Sequence, residues 1–366
     1  MTSAEPIDLG VHLQRTGEAI DEIATFAART GGPAGIEGLL TDLNRQGKGS
    51  RGWFGGAVRE AYTWDPEDRA TREWYPQGIT TAAFADPAPS SDVLAMTWYA
   101  KARDGLNRGS RISFFDLDTL RYRHVLLVVP KKVPLAGGGS RLTWEPLRIH
   151  AGGIVWAGPY LHVAATARGF FTFRVDDILH LPDGFGQPDP WRLGFSDTDL
   201  SAFGYRYVLP ARFAYRAETA AGVPKLRYSN LSLDLASDPK TLITGEFGRR
   251  GQTTRVAHFP LHPETLLPDT TTSERSFPTD VTDGALNQMQ GITRVEGTYY
   301  ASVSRGPLWP GSVYVGTPGS FTGRHLATPM GPEDISYDPA TDRLWSLSEY
   351  PLLRWIYSMD RARLTR

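Results

Sequence analysis

The chain has 366 residues, 40% hydrophobic and 22% charged, with 39 basic against 40 acidic side chains. Such a composition belongs to an ordinary globular protein, and a net charge of -1 supplies no bulk attraction to nucleic acid or to an anionic membrane. The absence of cysteine excludes thiolate catalysis, disulfides, cysteine-ligated zinc and iron–sulfur clusters.

The N-terminus, with Glu5, Asp8, Glu18, Asp21 and Glu22, lacks the basic start and apolar core of a secretory signal, so a cytoplasmic protein is expected. Residues 8 to about 46 read as helical. Leu9, Leu13, Ile20, Ile23 and Ala27 recur near the helical period, Gly31-Gly32-Pro33 interrupts them, and Ile36, Leu39, Leu40 and Leu43 resume it before Gly47. The expectation is a helical hairpin over residues 1–50, appended to a domain at 53–366 and offering a surface for a homodimer.

From about residue 53 the pattern changes to short strands rich in Val, Ile, Tyr, Phe and Trp between clusters of Gly, Pro, Asp and Asn. Asp92 to Tyr99, His124 to Val129, Leu242 to Phe247, Tyr299 to Val303 and Arg343 to Leu347 are examples. So many strands with little helix between them predict an all-β sandwich, barrel or propeller. A repeat decides among these. Gln77-Gly78-Ile79, Gly152-Gly153-Ile154, Gln290-Gly291-Ile292 and Glu333-Asp334-Ile335 share one form, a polar or small residue, a turn-prone residue, then Ile opening a strand. Ala211-Arg212-Phe213 fits the slot more loosely. Repeated small antiparallel sheets predict a β-propeller; five blades is the count, six the alternative, because the uneven spacing leaves room for one more. Too little chain follows Asp334 for four strands, so a strand from about Trp53 to Tyr62 is expected to close the last blade.

The strings Trp74-Tyr75-Pro76-Gln77-Gly78-Ile79, His150-Ala151-Gly152-Gly153-Ile154, Gly331-Pro332-Glu333-Asp334-Ile335-Ser336-Tyr337 and Leu344-Trp345-Ser346-Leu347-Ser348-Glu349-Tyr350-Pro351 resemble a family of actinobacterial propeller-like proteins. Most of these are described only as secreted. The resemblance covers about residue 53 to the end and implies the fold; it brings no reaction. Two departures stand out: the helical segment replaces a secretory leader, and Ala211 stands where the family has Gln. The first points to a relative recruited to intracellular work such as specialised metabolism, the second to a reshaped pocket.

In a propeller the residues just before each inner strand converge on the channel mouth, where a small-molecule ligand would sit. Here they are Gln77, His150 with Gly152, Arg212, Gln290, and Glu333 with Asp334. The chemistry natural to them is general acid–base catalysis, with His150 and either Glu333 or Asp334 as the catalytic groups. Arg148 and Arg212 would hold an anionic substrate, and Gln77 and Gln290 would orient it. Trp98, Tyr99, Trp156, Trp345 and Tyr350 would line the funnel, although packing between blades is the commoner fate of such residues. The expected function is a cofactor-independent lyase, cyclase or hydrolase. Its rivals are a carbohydrate- or protein-binding module and, ranked lower, a glycoside hydrolase, because the repeat slots carry acids only in the last blade. No cofactor is expected, and a divalent metal is left open without a ligand set: His258 and His262 lie too far apart along a strand, and Asp116 with Asp118 reads as turn capping.

Overall fold

The computed structural model describes residues 8–51, 55–183, 189–196, 199–284 and 286–365. Its strands form five sheets of four strands or more, plus the small pair Leu193–Phe195 with Leu200–Ala202. The first large sheet opens on Trp74–Thr81 and continues antiparallel through Val93–Ala100, Ser110–Asp116 and Arg121–Pro134. The others open on Ile154–Ala157, Asn230–Asp234, Met289–Val295 and Pro332–Asp338. These opening strands pack side by side in that order, and Pro332–Asp338 returns to Trp74–Thr81. The arrangement is all-β and propeller-like.

Period-two alternation explains how each strand serves two neighbours. In Val93–Ala100, Leu94, Met96 and Trp98 face a core shared with Trp345, Leu347 and Ile356 of the last sheet. Val93 and Ala95 face the opposite core, with Ile154, Trp156 and Val163 of the second sheet. Every residue of the strand except Tyr99 is therefore buried, and each large apolar side chain so placed contributes about 1.5–3 kcal/mol. This corrects the funnel assignment of three tryptophans. Trp98, Trp156 and Trp345 are buried between sheets, and the Trp98 indole donates to Ser113 Oγ at 2.7 Å.

At the axis the opening strands meet backbone to backbone. A Cβ on Gly153 would lie 2.3 Å from the Leu231 nitrogen and 2.6 Å from Asn230 Cα; one on Gly291 would lie 2.7 Å from Asp334 Cα. The glycines of the repeat are thus required by close approach. The same contact identifies the third slot as Ser229-Asn230-Leu231. Ala211-Arg212-Phe213, assigned to it from sequence, instead leads into Phe213–Thr219, which pairs with Gly169–Arg174 as the fourth strand of the second sheet. A guanidinium at the crowded axis would have no room, whereas on that outer strand Arg212 reaches Glu18 and Asp177, each at 2.8 Å.

Closure follows the expected route. Val58–Thr63 pairs with Ile356–Asp360 and so adds a fourth strand to the last sheet, with Lys48–Ser50 beyond it; Trp53 lies outside the described residues. The N-terminal segment departs from the expectation. Helices do form over Ile20–Thr30 and Gly35–Leu40, the first ended by Gly31 in the left-handed conformation. Leu13, however, belongs to the strand Val11–Arg15, which pairs with Phe213–Thr219. The apolar helix faces are also used within the chain, Phe26 packing edge-on against Trp144 and Phe195. The segment is woven into three sheets, through Val11–Arg15, Arg45–Gln46 and Lys48–Ser50, and is not an appendage.

Candidate functional site

Three opening strands carry a β-bulge at their first residues. Register shifts occur between Pro76 and Ile79, between Met289 and Gly291, and between Pro332 and Ile335. A bulge turns side chains out of the regular alternation and is a recurrent device beside active sites. Here it aims Gln77, Gln290 and Glu333 into a cavity of about 590 Å³ over the axis, where His150 and Gly152 join them. Four of the predicted side chains, from four sheets, therefore share one wall-to-wall space.

The floor is a carboxyl pair. Glu333, only 3% exposed, shares a hydrogen bond with Glu349. Burial, then the Glu349 charge, then Asp334 hold Glu333 well above the usual carboxylate range. Burial also raises Glu349, opposed by hydrogen bonds from Tyr350 and Gln77 and by the Lys101 charge. Two carboxyl groups in contact, Glu333 buried and Glu349 half-buried, keep a proton between them, since a second negative charge beside the first costs more than the remaining solvent and the Lys101 charge return. Amides clamp the pair from either side. Gln77 Nε2 donates to Glu349 Oε2 at 3.3 Å, and Gln290 Nε2 donates to Glu333 Oε1 at 3.3 Å.

His150 stands at the rim, its ring centroid 4.6 Å from that of Tyr99. Burial of its inner edge and the Lys101 charge lower its pKa, so the imidazole is neutral at pH 7. The carboxylate partner of Glu333 is thus Glu349, and His150 hydrogen-bonds to neither Glu333 nor Asp334 among the described residues. Asp334 points away from the cavity. Its Oδ2 accepts from the Ile79 and Ile154 backbone nitrogens at 3.4 and 3.3 Å, stapling two opening strands across the axis, and burial raises its pKa. Arg148 is exposed outside the cavity, donating to the Asn107 carbonyl at 3.2 Å. Arg212 lines a different cleft with Glu18. Tyr350 supports Glu349 by its hydrogen bond.

Of the aromatics expected at the funnel, Tyr99 does line the cavity; sequence reasoning missed Glu349, Lys101 and a facing wall of Arg227, Arg249 and Gln252. Most of these follow the second strand of a sheet or its turn. Lys101 comes after Val93–Ala100, Arg249 after Thr241–Gly245 and Glu349 after Arg343–Ser348. In an antiparallel pair the end of the second strand lies beside the start of the first, so this position was open to inference. As for metal, His258 and His262 serve separate turns and contacts: His258 meets Tyr299 Oη at 3.0 Å, and His262 Nδ1 accepts from the backbone of Glu264 and Thr265. Asp116 caps its turn, accepting from Asp118 and Thr119.

Comparison with protein-family models and with curated proteins finds no match. Among solved structures the chain is similar to a gluconolactonase from Xanthomonas campestris, at 15% identity and a TM-score of 0.38, covering 98% of this chain and 96% of that one. It is similar to the Myxococcus xanthus glutaminyl cyclase at 10% identity and a TM-score of 0.35, over 86% and 97% of the two chains. It is also similar to the GH43_1 enzyme of Xanthomonas citri in its complex with xylotriose, at 12% identity and a TM-score of 0.34, over 80% and 88%. Likeness this remote carries neither reaction nor ligand across.

Proposed function

We propose that this chain is an enzyme that moves protons on a small polar molecule bound over the axis of a five-bladed propeller, in a reaction of cyclase, lyase or hydrolase type. The count of five rests on the cyclic packing of five opening strands. The observation that carries the reading is the hydrogen-bonded pair of buried Glu333 and half-buried Glu349 lining the cavity. Glu333 holds the proton and acts as general acid. Glu349, hydrogen-bonded by Tyr350 and Gln77, is the carboxylate that accepts one. Neutral His150 is a second acceptor at the rim. Glycoside hydrolysis by this pair fits poorly, because carboxyl groups sharing a proton stand closer than the ~5–5.5 Å a retaining glycosidase uses to flank a glycosidic bond.

The test is a turnover screen of lactones, amides, hydroxy acids and sugar derivatives, followed by Glu333→Gln and Glu349→Gln on whichever compound reacts. Each variant is expected to lose ~10²–10⁴-fold in kcat, the usual worth of a general acid or base, with Kd changed less than about tenfold. Unchanged turnover in both removes the pair from the chemistry. Binding without turnover across the whole screen would favour a ligand-binding module.

A further inference from the structure

Many cations of this chain sit in ion pairs. Arg108, Arg111, Arg123, Arg255 and Arg343 each meet a carboxylate within 3.2 Å. Three that line the cavity are different. Lys101, Arg227 and Arg249 enter no ion pair among the described residues, although all three face the space above the Glu333–Glu349 pair. Their surroundings explain why no protein acid neutralises them. Lys101 Nζ rests 3.6 Å over the Tyr75 ring. Arg227 is fixed by the carbonyls of Phe247 and Thr253, at 3.3 and 2.7 Å. Its nearest acid, Glu246, is already engaged by the Arg255 side chain at 2.9 and 3.1 Å. Arg249 is exposed, and its backbone nitrogen is bound by Gln252 Oε1 at 2.9 Å, which fixes its loop.

The opposite wall has another character. Gln77 and Gln290 each donate their amide nitrogen to the carboxyl pair, which leaves their carbonyl oxygens to accept from a ligand. Hydroxyl groups are the natural partners of such a mixed donor and acceptor surface. With one proton on the pair, three cations face a single carboxylate charge, so the cavity carries an excess of positive charge that solvent screens at the exposed Lys101 and Arg249 and that an anionic ligand would complement. No helix residue lines it, so the backbone cradle that phosphate prefers is missing, while the planar forks of Arg227 and Arg249 suit a carboxylate.

From this we infer that the cavity takes a hydroxyl-rich carboxylate of the sugar-acid class, its carboxylate on Lys101, Arg227 and Arg249 and its hydroxyls toward the amide and carboxyl wall. The inference rests on the reading of this cavity as the reactive site. The test is calorimetric titration of the full-length chain with glucuronate, galacturonate and gluconate, each against its neutral counterpart glucose, galactose or glucitol, with inorganic phosphate as a competitor. At least one acid is expected to bind tenfold or more above its neutral counterpart. Lys101→Gln and Arg249→Gln are each expected to reduce that preference at least fivefold at unchanged far-ultraviolet dichroism. The inference is overturned if no acid outbinds its neutral counterpart, if both variants keep the preference, or if phosphate binds tighter than every acid. The acid–base reading fails separately, if Glu333 of the wild-type chain titrates as an ordinary carboxyl group.

Discussion

Replacing Glu333 by Gln tests the retained proton through stability, without a substrate. An unfolded glutamate ionises near pH ~4.3, whereas native Glu333 stays protonated well above that because it is buried beside Glu349 and Asp334. Between these two values the native state binds one proton more than the unfolded state. The stability slope is then negative: the contribution is full below the unfolded value and is lost as pH rises toward the native one. One proton is worth about 1.4 kcal/mol per pH unit. Over 366 residues an unfolding entropy of about 2.1 cal/mol/K per residue makes this about 2 °C in Tm per pH unit. Buried histidines push the other way. His124, lowered to about 4, and His162, lowered to about 3, resist protonation, so they destabilise as pH falls below ~6.5. The wild-type profile alone therefore mixes signs, and the readout is wild type minus variant, measured by scanning calorimetry from pH 4.5 to 7.5 at fixed ionic strength. The histidine contributions cancel in that difference. It should fall by about 2 °C per pH unit through the lower part of the range. Parallel curves would show that Glu333 holds no proton, and the acid assigned to the site would be lost with it.

Two structural predictions accompany this one. Gly153→Ala forces a Cβ to within 2.3 Å of the Leu231 backbone and is expected to cost at least ~3 kcal/mol or abolish soluble expression, whereas Gly137→Ala, with nothing within 4 Å, should leave the melting temperature within about 1 °C; equal melting temperatures would refute the axial packing. Removing residues 1–46 takes away the strand Val11–Arg15 and the buried Phe26, so the shortened chain should aggregate in size-exclusion chromatography, and a monodisperse, cooperatively melting product would show that the segment is an appendage after all.

Much of the fold was legible because the repeat has a physical cause. Gly78, Gly153 and Gly291 recur where opening strands touch, and the Ile that follows each one begins a buried run. The third slot was misread because Asn230 presents neither glycine nor Ile. There Asn230 Oδ1 accepts from the Gly245 nitrogen at 2.8 Å, holding the strand by its side chain as Asp334 does in the last slot, where the glycine slots rely on bare backbone contact. The N-terminal strand was hidden for a different reason. Val11 and Leu13 alternate, but Leu9, Leu13 and Ile20 also satisfy a loose helical spacing, and only long-range pairing with residues 215–219 decides between them. Long-range pairing of this kind leaves no local mark in the chain.

The candidate site was half legible, and the half that was missed follows from register. Gln77, Gln290 and Glu333 were found as residues that precede a strand, and His150 two residues before Gly152 came with them. The partner of Glu333 required one further step. Pro332 stands opposite Ser348 in the antiparallel pair, and the Glu349 nitrogen donates to the Gly331 carbonyl at 3.1 Å, so Glu349 emerges beside Glu333 across the hairpin. Like charges facing each other across two strands repel, and burial removes the solvent that would screen them. A proton retained by the pair relieves both costs at once. In the first sheet the register sets Tyr99 opposite Tyr75, and both Tyr99 and Gln77 reach the cavity from the end of this strand pair. A search for polar residues at the end of each second strand would have found the carboxyl pair and Lys101 together.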